Sequence, residues 1–228
     1  MKDRPAIELV VLDMAGTTVH DDDSVNRIFR ESLASLGVEA EPDQVNRVMG
    51  LPKPVAIARL LRQSEGDAPA DVDAIHADFV ARAIAFYGRD PSVREARGAT
   101  EVFRLLTAAG VKVALDTGFS RAIADVILDR LGWRDRSLIA ATICSDEVAR
   151  GRPYPDMIER LMKGLDVRDA SRVAKVGDTP SDLEEGSSAG CGLVVGIAGA
   201  THTRAELAAY PHTHLIDSLP EFPALLGL

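Results

Sequence analysis

The sequence predicts an α/β fold, a Rossmann-like parallel sheet core with an all-helical cap inserted after its first strand. Three observations carry this. From residue 98 onward, apolar runs of strand length alternate with helical patterns, as a parallel sheet covered on both faces requires. Residues 20–90 break the alternation with a block that is helical in period throughout. Residues able to do chemistry stand where strands end, the edge at which open α/β sheets bind ligands.

The strand-like runs are 7–12, 111–116, 138–143, 173–177, 193–197 and 213–216. The first leads through Val10-Val11-Leu12 to Asp13 and then to Met14-Ala15-Gly16-Thr17-Thr18. That is a strand delivering a carboxylate, a glycine where the backbone must turn sharply, and hydroxyls and amides for an anion. Helical period fits Ser24–Leu36, Pro42–Val48, Pro54–Leu61 and Ala70–Phe86, the last an alanine-rich packed helix with His76 on its surface. Acidic, proline and glycine residues cluster at Val19–Asp23 and Asp90–Gly98, which read as hinges. The polar loop Ser64–Pro69 has no sign of function. The division is therefore a core of residues 1–19 and 92–228 and a cap of residues 20–91.

A chain of 228 residues has room for such a core plus a small insertion. With 46% hydrophobic and 27% charged residues the composition is that of an ordinary globular protein. Aromatics at 4% and a net charge of −9 argue against a nucleic-acid partner, because stacking surfaces are scarce and no basic stripe is present. A small phosphorylated substrate stays compatible, since a bound cation and a few local Lys and Arg decide such a site. Cys144 and Cys191 are too few for a disulfide framework and read as small core residues in a reducing cytoplasm. Met1-Lys2-Asp3-Arg4-Pro5 leads into the first strand without a long apolar signal, and no run reaches membrane-spanning length. His202, His212 and His214 lack metal-ligand spacing, so no metal role is expected of them.

Three later segments extend the chemistry of Asp13. Val113-Ala114-Leu115-Asp116-Thr117-Gly118 is a strand ending in a hydroxyl and a glycine ahead of a helix. Gly151-Arg152-Pro153-Tyr154-Pro155 holds a cation in a stiff loop. Val173-Ala174-Lys175-Val176-Gly177-Asp178 runs on through Thr179-Pro180-Ser181 to Asp182, so a strand ends in two carboxylates four apart. Asp13 is placed to attack phosphorus, as in aspartyl-phosphate enzymes. Thr17, Thr117 and the Gly118 amide can donate to phosphoryl oxygens, the latter two at a helix start. Arg152 can do the same with a permanent charge. Asp13 and Asp178 offer oxygen ligands to Mg²⁺. Asp182 either supports that site or serves only as a helix-start carboxylate. Asp116 reads as a polar strand end with no assigned role.

Acid nucleophile, hydroxyl, cation and acid pair, in this chain order, resemble the four motifs of the haloacid dehalogenase superfamily across nearly the whole chain. The resemblance implies Mg²⁺ held by Asp13, the backbone carbonyl of Ala15 and Asp178, with Asp182 behind them. Most phosphatases of that superfamily carry an aspartate where this chain has Ala15 and a lysine where it has Arg152. Alanine and arginine there, together with Met49-Gly50-Leu51-Pro52-Lys53, resemble the phosphonoacetaldehyde hydrolase (phosphonatase) family. That family's cap segment bears a Schiff-base lysine, here Lys53, with Met49 at the substrate, and dimerisation through the cap is part of the same resemblance.

The missing acid matters for substrate choice. Such a group contributes about 10²–10⁴ in rate by protonating a departing alkoxide, and Ala15 cannot do this. An iminium at Lys53 would instead accept the electrons of a breaking C–P bond. The family's histidine three residues after the lysine is Ala56 here, with His20 from the hinge as a candidate replacement. Hydrolysis of phosphonoacetaldehyde or a related carbonyl phosphonate is the leading expectation. The alternative is a phosphatase of a small phosphomonoester such as phosphoglycolate, with Lys53 at an exposed helix start only pairing with the substrate. A non-catalytic sensor is disfavoured because Asp13, Thr117, Arg152 and Asp178 are all in place.

Overall fold

The computed structural model describes residues 6–62, 71–135 and 137–228. Its strands are β1 (Leu9–Asp13), β2 (Lys112–Thr117), β3 (Ala141–Cys144), β4 (Val173–Gly177), β5 (Leu193–Ile197) and β6 (His214–Ile216). They form one sheet in the order β3-β2-β1-β4-β5-β6, and every neighbouring pair is parallel. The helices are α1 (Ser24–Ala34), α2 (Pro42–Asn46), α3 (Lys53–Leu61), α4 (Val72–Arg89), α5 (Ala99–Ala108), α6 (Arg121–Leu131), α7 (Asp156–Gly164), α8 (Pro180–Ser188), α9 (Arg204–Leu207) and α10 (Phe222–Leu225).

Each strand-like run of the sequence overlaps a strand. The third starts later than expected, at Ala141, because Leu138 and Ile139 close a turn on Asp135 and only Ala140 joins Val113. The helix from Pro42 stops at Asn46 instead of Val48, and α3 begins one residue earlier than predicted, at Lys53. The expected start of the long helix at Ala70, the Ser64–Pro69 loop and the N-terminal five residues lie outside the described residues.

β1 is buried on both faces, so its side chains alternate between two cores. Val10 and Leu12 join the large cluster shared with α5, α6 and the inserted helices, while Leu9 and Val11 pack with Met157, Ile158 and Leu161 of α7. Each large apolar side chain fully withdrawn from water contributes about 1.5–3 kcal/mol, and this two-sided burial holds the middle strands rigid. The order reverses between β1 and β4, so Asp13 and Asp178 flank the crevice at the sheet's switch point. In register, Asp13 lies beside Asp116.

Residues 20–91 contain only helices among the described residues. The chain leaves and returns through adjoining segments: Val19 bridges Glu95 antiparallel, His20 N–H donates to the Arg94 carbonyl at 3.1 Å, and Ala96 N–H to that of Thr18 at 2.7 Å. Phe29 of α1 meets Phe79 of α4 edge-on at 5.5 Å, and Phe119, from the loop after β2, contacts both Phe79 and Tyr87. The inserted helices and the sheet thus share one aromatic cluster.

Candidate active site

The sheet's reversal brings the first carboxylate to a strand end, and Gly16 lets the next turn fit beneath its neighbour. Gly16 has φ +89°, and a Cβ there would come within 2.3 Å of Asp178 Oδ2. Thr18 Oγ1 ties the turn to the Asp13 carbonyl at 2.8 Å. Thr17 Oγ1 donates to Asp178 Oδ1 at 3.0 Å, so its hydroxyl is aimed at a carboxylate and not at open space.

Beneath Asp13 lies a buried charge cluster. Arg152 Nη1 donates to Asp13 Oδ1 at 2.6 Å, Nε donates to Glu185 Oε2 at 2.9 Å, and Nη2 bonds Asp116. Nη1 is also 2.9 Å from Asp182 Oδ1. The guanidinium, expected to face phosphoryl oxygens, is thus spread over four carboxylates. Lys175, to which the sequence pattern gives no role, sends Nζ to both oxygens of Asp116 at 2.5 and 2.6 Å and lies 3.0 Å from Asp182 and 3.1 Å from Glu185. Asp116 is therefore no idle strand end; it clamps both cations. The signal for Lys175 was available as a lone cation inside an apolar strand, and that for Glu185 in its i, i+3 spacing from Asp182 on one helix face.

Asp182 has both roles weighed for it. Its Oδ2 accepts from Thr179 Oγ1 at 2.5 Å and Thr179 N–H at 3.2 Å, closing a capping box at the start of α8. Its Oδ1 faces Arg152 and Lys175.

The carboxylates of Asp13, Asp116 and Asp182 converge, with one oxygen of each within 4.8 Å of the others. Arg152 touches all three, so that cluster already holds its cation. Asp178 differs. It is fully buried, accepts only from the hydroxyls of Thr17 and Thr201 (2.5 Å), and has no Lys or Arg within ion-pair distance among the described residues. Burial, with Asp13 and Asp182 adding their charge, drives it well above the usual carboxylate range. Burial raises Asp13 to about 7 against the pull of Arg152. Two buried acids at one strand edge, one without a cation, form an oxygen donor set that a hard dication fits.

Above Asp13 is a chamber of about 30 Å³, the share of roughly one water molecule in the liquid. Asp13, Ala15, Met49, Lys53, Thr117 and Gly118 all line it, together with Asp21 and Phe119. Gly118 is required by the approach of the inserted segment, since a Cβ there would lie 2.8 Å from the Gly50 carbonyl oxygen. Thr117 Oγ1 accepts from Phe119 N–H at 3.1 Å, fixing its direction. Lys53 is only 3% exposed, which removes the exposed helix start. Its Nζ lies 5.4–5.5 Å from the ring centres of Phe29, Phe79 and Phe119. Burial lowers its pKa to about 8, with Asp13 and Asp21 opposing the shift from a distance.

Other residues fall differently. Ala56 is fully buried, and His20 is absent from the chamber lining, where its neighbour Asp21 appears instead. His76 is half-buried along a separate groove between α3, α4 and the Arg152 loop. Cys144 is buried and Cys191 half-buried; both are free, and burial pushes Cys191 up to about 12. No helix among the described residues is long and apolar enough to cross a membrane.

A parallel sheet whose switch point gathers a buried aspartate, a strand-end threonine, a loop cation and an acid pair defines a class of hydrolases. A model of the haloacid dehalogenase-like hydrolase family matches residues 7–190, and the chain belongs to that family. Within it, the chain is similar to phosphonoacetaldehyde hydrolases. It is 30% identical to that of Bacillus cereus over 209 residues, covering 86% of this chain and 77% of the relative. With that of Syntrophobacter fumaroxidans the identity is 32% over 233 residues, covering 93% and 81%. Among solved structures, a phosphonoacetaldehyde hydrolase-like protein from Oleispira antarctica superposes with a TM-score of 0.85 at 23% identity, covering 98% of this chain and 92% of that one.

Proposed function

We propose that this hydrolase cleaves the C–P bond of phosphonoacetaldehyde or a related carbonyl phosphonate. The observation that carries the reading is Lys53: a buried amine, walled by three aromatic rings, opening into the chamber that holds Asp13. An amine whose pKa is about 8 has an appreciable neutral fraction near neutrality and can attack a carbonyl. In this reading residues 20–91 form the cap and residues 1–19 with 92–228 the catalytic core.

Lys53 condenses with the carbonyl, and Asp13 attacks phosphorus. The C–P electron pair passes into the iminium as the aspartyl phosphate forms, so carbon leaves as an enamine and Ala15 needs no acid to protonate it. Thr117 and Gly118 line the phosphoryl side, Thr17 holds Asp178 through its hydroxyl, and Met49 sits beside the carbon chain. Arg152 holds the Asp13 carboxylate from beneath and orients it for attack. Mg²⁺ fits at Asp13, Asp178 and the Ala15 carbonyl with Asp182 behind; when bound it neutralises the phosphoryl oxygens. Homodimerisation through the cap and action in the cytoplasm, where two free cysteines stay reduced, belong to the same reading.

A second reading, a phosphatase of a small phosphomonoester such as phosphoglycolate, is favoured by Ala56, whose buried methyl cannot move protons for an imine. Borohydride reduction in the presence of phosphonoacetaldehyde separates the two. A reduced adduct mapped to Lys53 by mass spectrometry, with Lys53→Arg inactive on the phosphonate, is the expected result. No adduct, with brisk phosphate release from phosphoglycolate, would transfer the assignment to the phosphatase.

A further inference from the structure

Imine chemistry needs a group that gives and takes protons beside the amine, and neither Ala15 nor Ala56 can supply one. Among the described residues lining the chamber, the titratable ones are Asp13, Asp21 and Lys53. Asp13 is engaged at phosphorus and Lys53 at the carbonyl, which leaves Asp21. This residue also lines an adjoining cleft of about 60 Å³ together with Asp23, Asn26 and Asn46. Met49 and Thr201 line both spaces as well, but of the three shared residues only Asp21 titrates. It therefore borders both spaces, where it can pass a proton from one to the other.

Its mounting is rigid. Oδ1 accepts from the Ser24 and Val25 amides at 2.8 and 3.3 Å at the start of α1, and Oδ2 has no hydrogen bond to a described residue. We propose that Asp21 is the proton-transfer catalytic residue of the Lys53 reaction; this rests on the imine reading above. When the amine has added to the carbonyl, the C–O bond of the carbinolamine breaks and the oxygen leaves as water with the Asp21 proton, giving the iminium and the Asp21 carboxylate. After C–P cleavage the enamine carbon is protonated from solvent, which recovers that proton when water hydrolyses the aspartyl phosphate. Water then adds to the iminium carbon while the Asp21 carboxylate takes its proton. The C–N bond then breaks to release the aldehyde and the free amine. Burial raises the Asp21 pKa, with Asp22 and Asp23 adding to the effect, which favours the protonated form that the first step uses.

The test is the rate of borohydride trapping at Lys53 with phosphonoacetaldehyde. Asp21→Asn keeps an oxygen for the Ser24 and Val25 amides, and Asp21→Ser removes the carboxyl group but keeps a small polar side chain at that turn. Both are expected to melt as the parent does and to trap about 10²–10⁴ more slowly, the usual contribution of general acid–base catalysis. Trapping at the parent rate in a variant that keeps the parent melting temperature overturns the role of Asp21 and leaves the imine reading intact. A parent protein that forms no adduct overturns both.

Discussion

Lys53 and Lys175 are both buried, yet their surroundings push them in opposite directions. Lys175 lies among Asp116, Asp182 and Glu185 at 2.5–3.1 Å, and those acids hold it above the ordinary lysine range despite burial. Lys53 faces three aromatic rings and, among the described residues, no carboxylate within ion-pair distance, and burial brings it down to about 8. Removing an ion from water costs several kcal/mol in either place. Beneath the sheet edge that cost is offset by charge, which makes Lys175 permanent and inert. In the inserted helices it is met only by ring faces, worth up to about 2 kcal/mol when desolvated, so the amine can shed its proton. One lysine is part of the frame and the other is available for chemistry.

The largest expected effect follows from this contrast. Lys53→Met should lower turnover of phosphonoacetaldehyde by about 10⁴ or more, the scale of losing a covalent catalyst, while the melting temperature holds or rises, because an unpaired buried charge is gone. Steady-state kinetics and thermal melts read the two together. A melting temperature several degrees lower would make Lys53 a structural cation like Lys175.

Lys175→Met should do the reverse. Breaking a buried ion pair costs roughly 3–5 kcal/mol, equivalent to about 6–20 °C in melting temperature for a chain of this size. Adding Asp116→Asn should restore part of it, since one acid loses its charge along with the cation. Parent-like stability in the single variant would show that Arg152 alone compensates the cluster.

The smallest effect is a displacement along the pH axis. In the imine reading Lys53 attacks only as the free amine, and its folded pKa is lowered, so its trapping rate should rise with pH and reach half its maximum near pH 8. An ordinary lysine would do so near 10.5. A midpoint above 10 measured by borohydride labelling would mean that the rings do not isolate the amine from water.

Most of the fold was legible because parallel strands buried on both faces read as apolar runs, and two of the six, β4 and β5, match their predicted limits. The positions of Asp13, Thr117, Gly118, Met49 and Lys53 around one chamber followed from strand ends and a resemblance to known motifs. What stayed hidden depends on side chains meeting across the fold. Asp116 and Lys175 lie on different strands 59 residues apart, and nothing local to Asp116 announces its partner. Arg152 was expected to reach phosphate, but a sequence does not reveal how many acids compete for one guanidinium. Asp21 was absorbed into an acidic hinge because the first turn of α1, which orients it, leaves no mark distinguishing it from Asp22 and Asp23.

The bridge between Val19 and Glu95 has a consequence for the chain as a polymer. The excursion that begins after β1 returns to within about one strand spacing, 4.7–4.9 Å, of where it left. For the host sheet it is a closed loop, and the entropy of closing a loop grows only with the logarithm of its length, by about 0.6 kcal/mol per doubling. The sheet therefore scarcely registers how long the insertion is. At this one doorway, segments of very different size can be exchanged, elongated or trimmed while the strand order and the aspartate-bearing edge beneath them stay as they are.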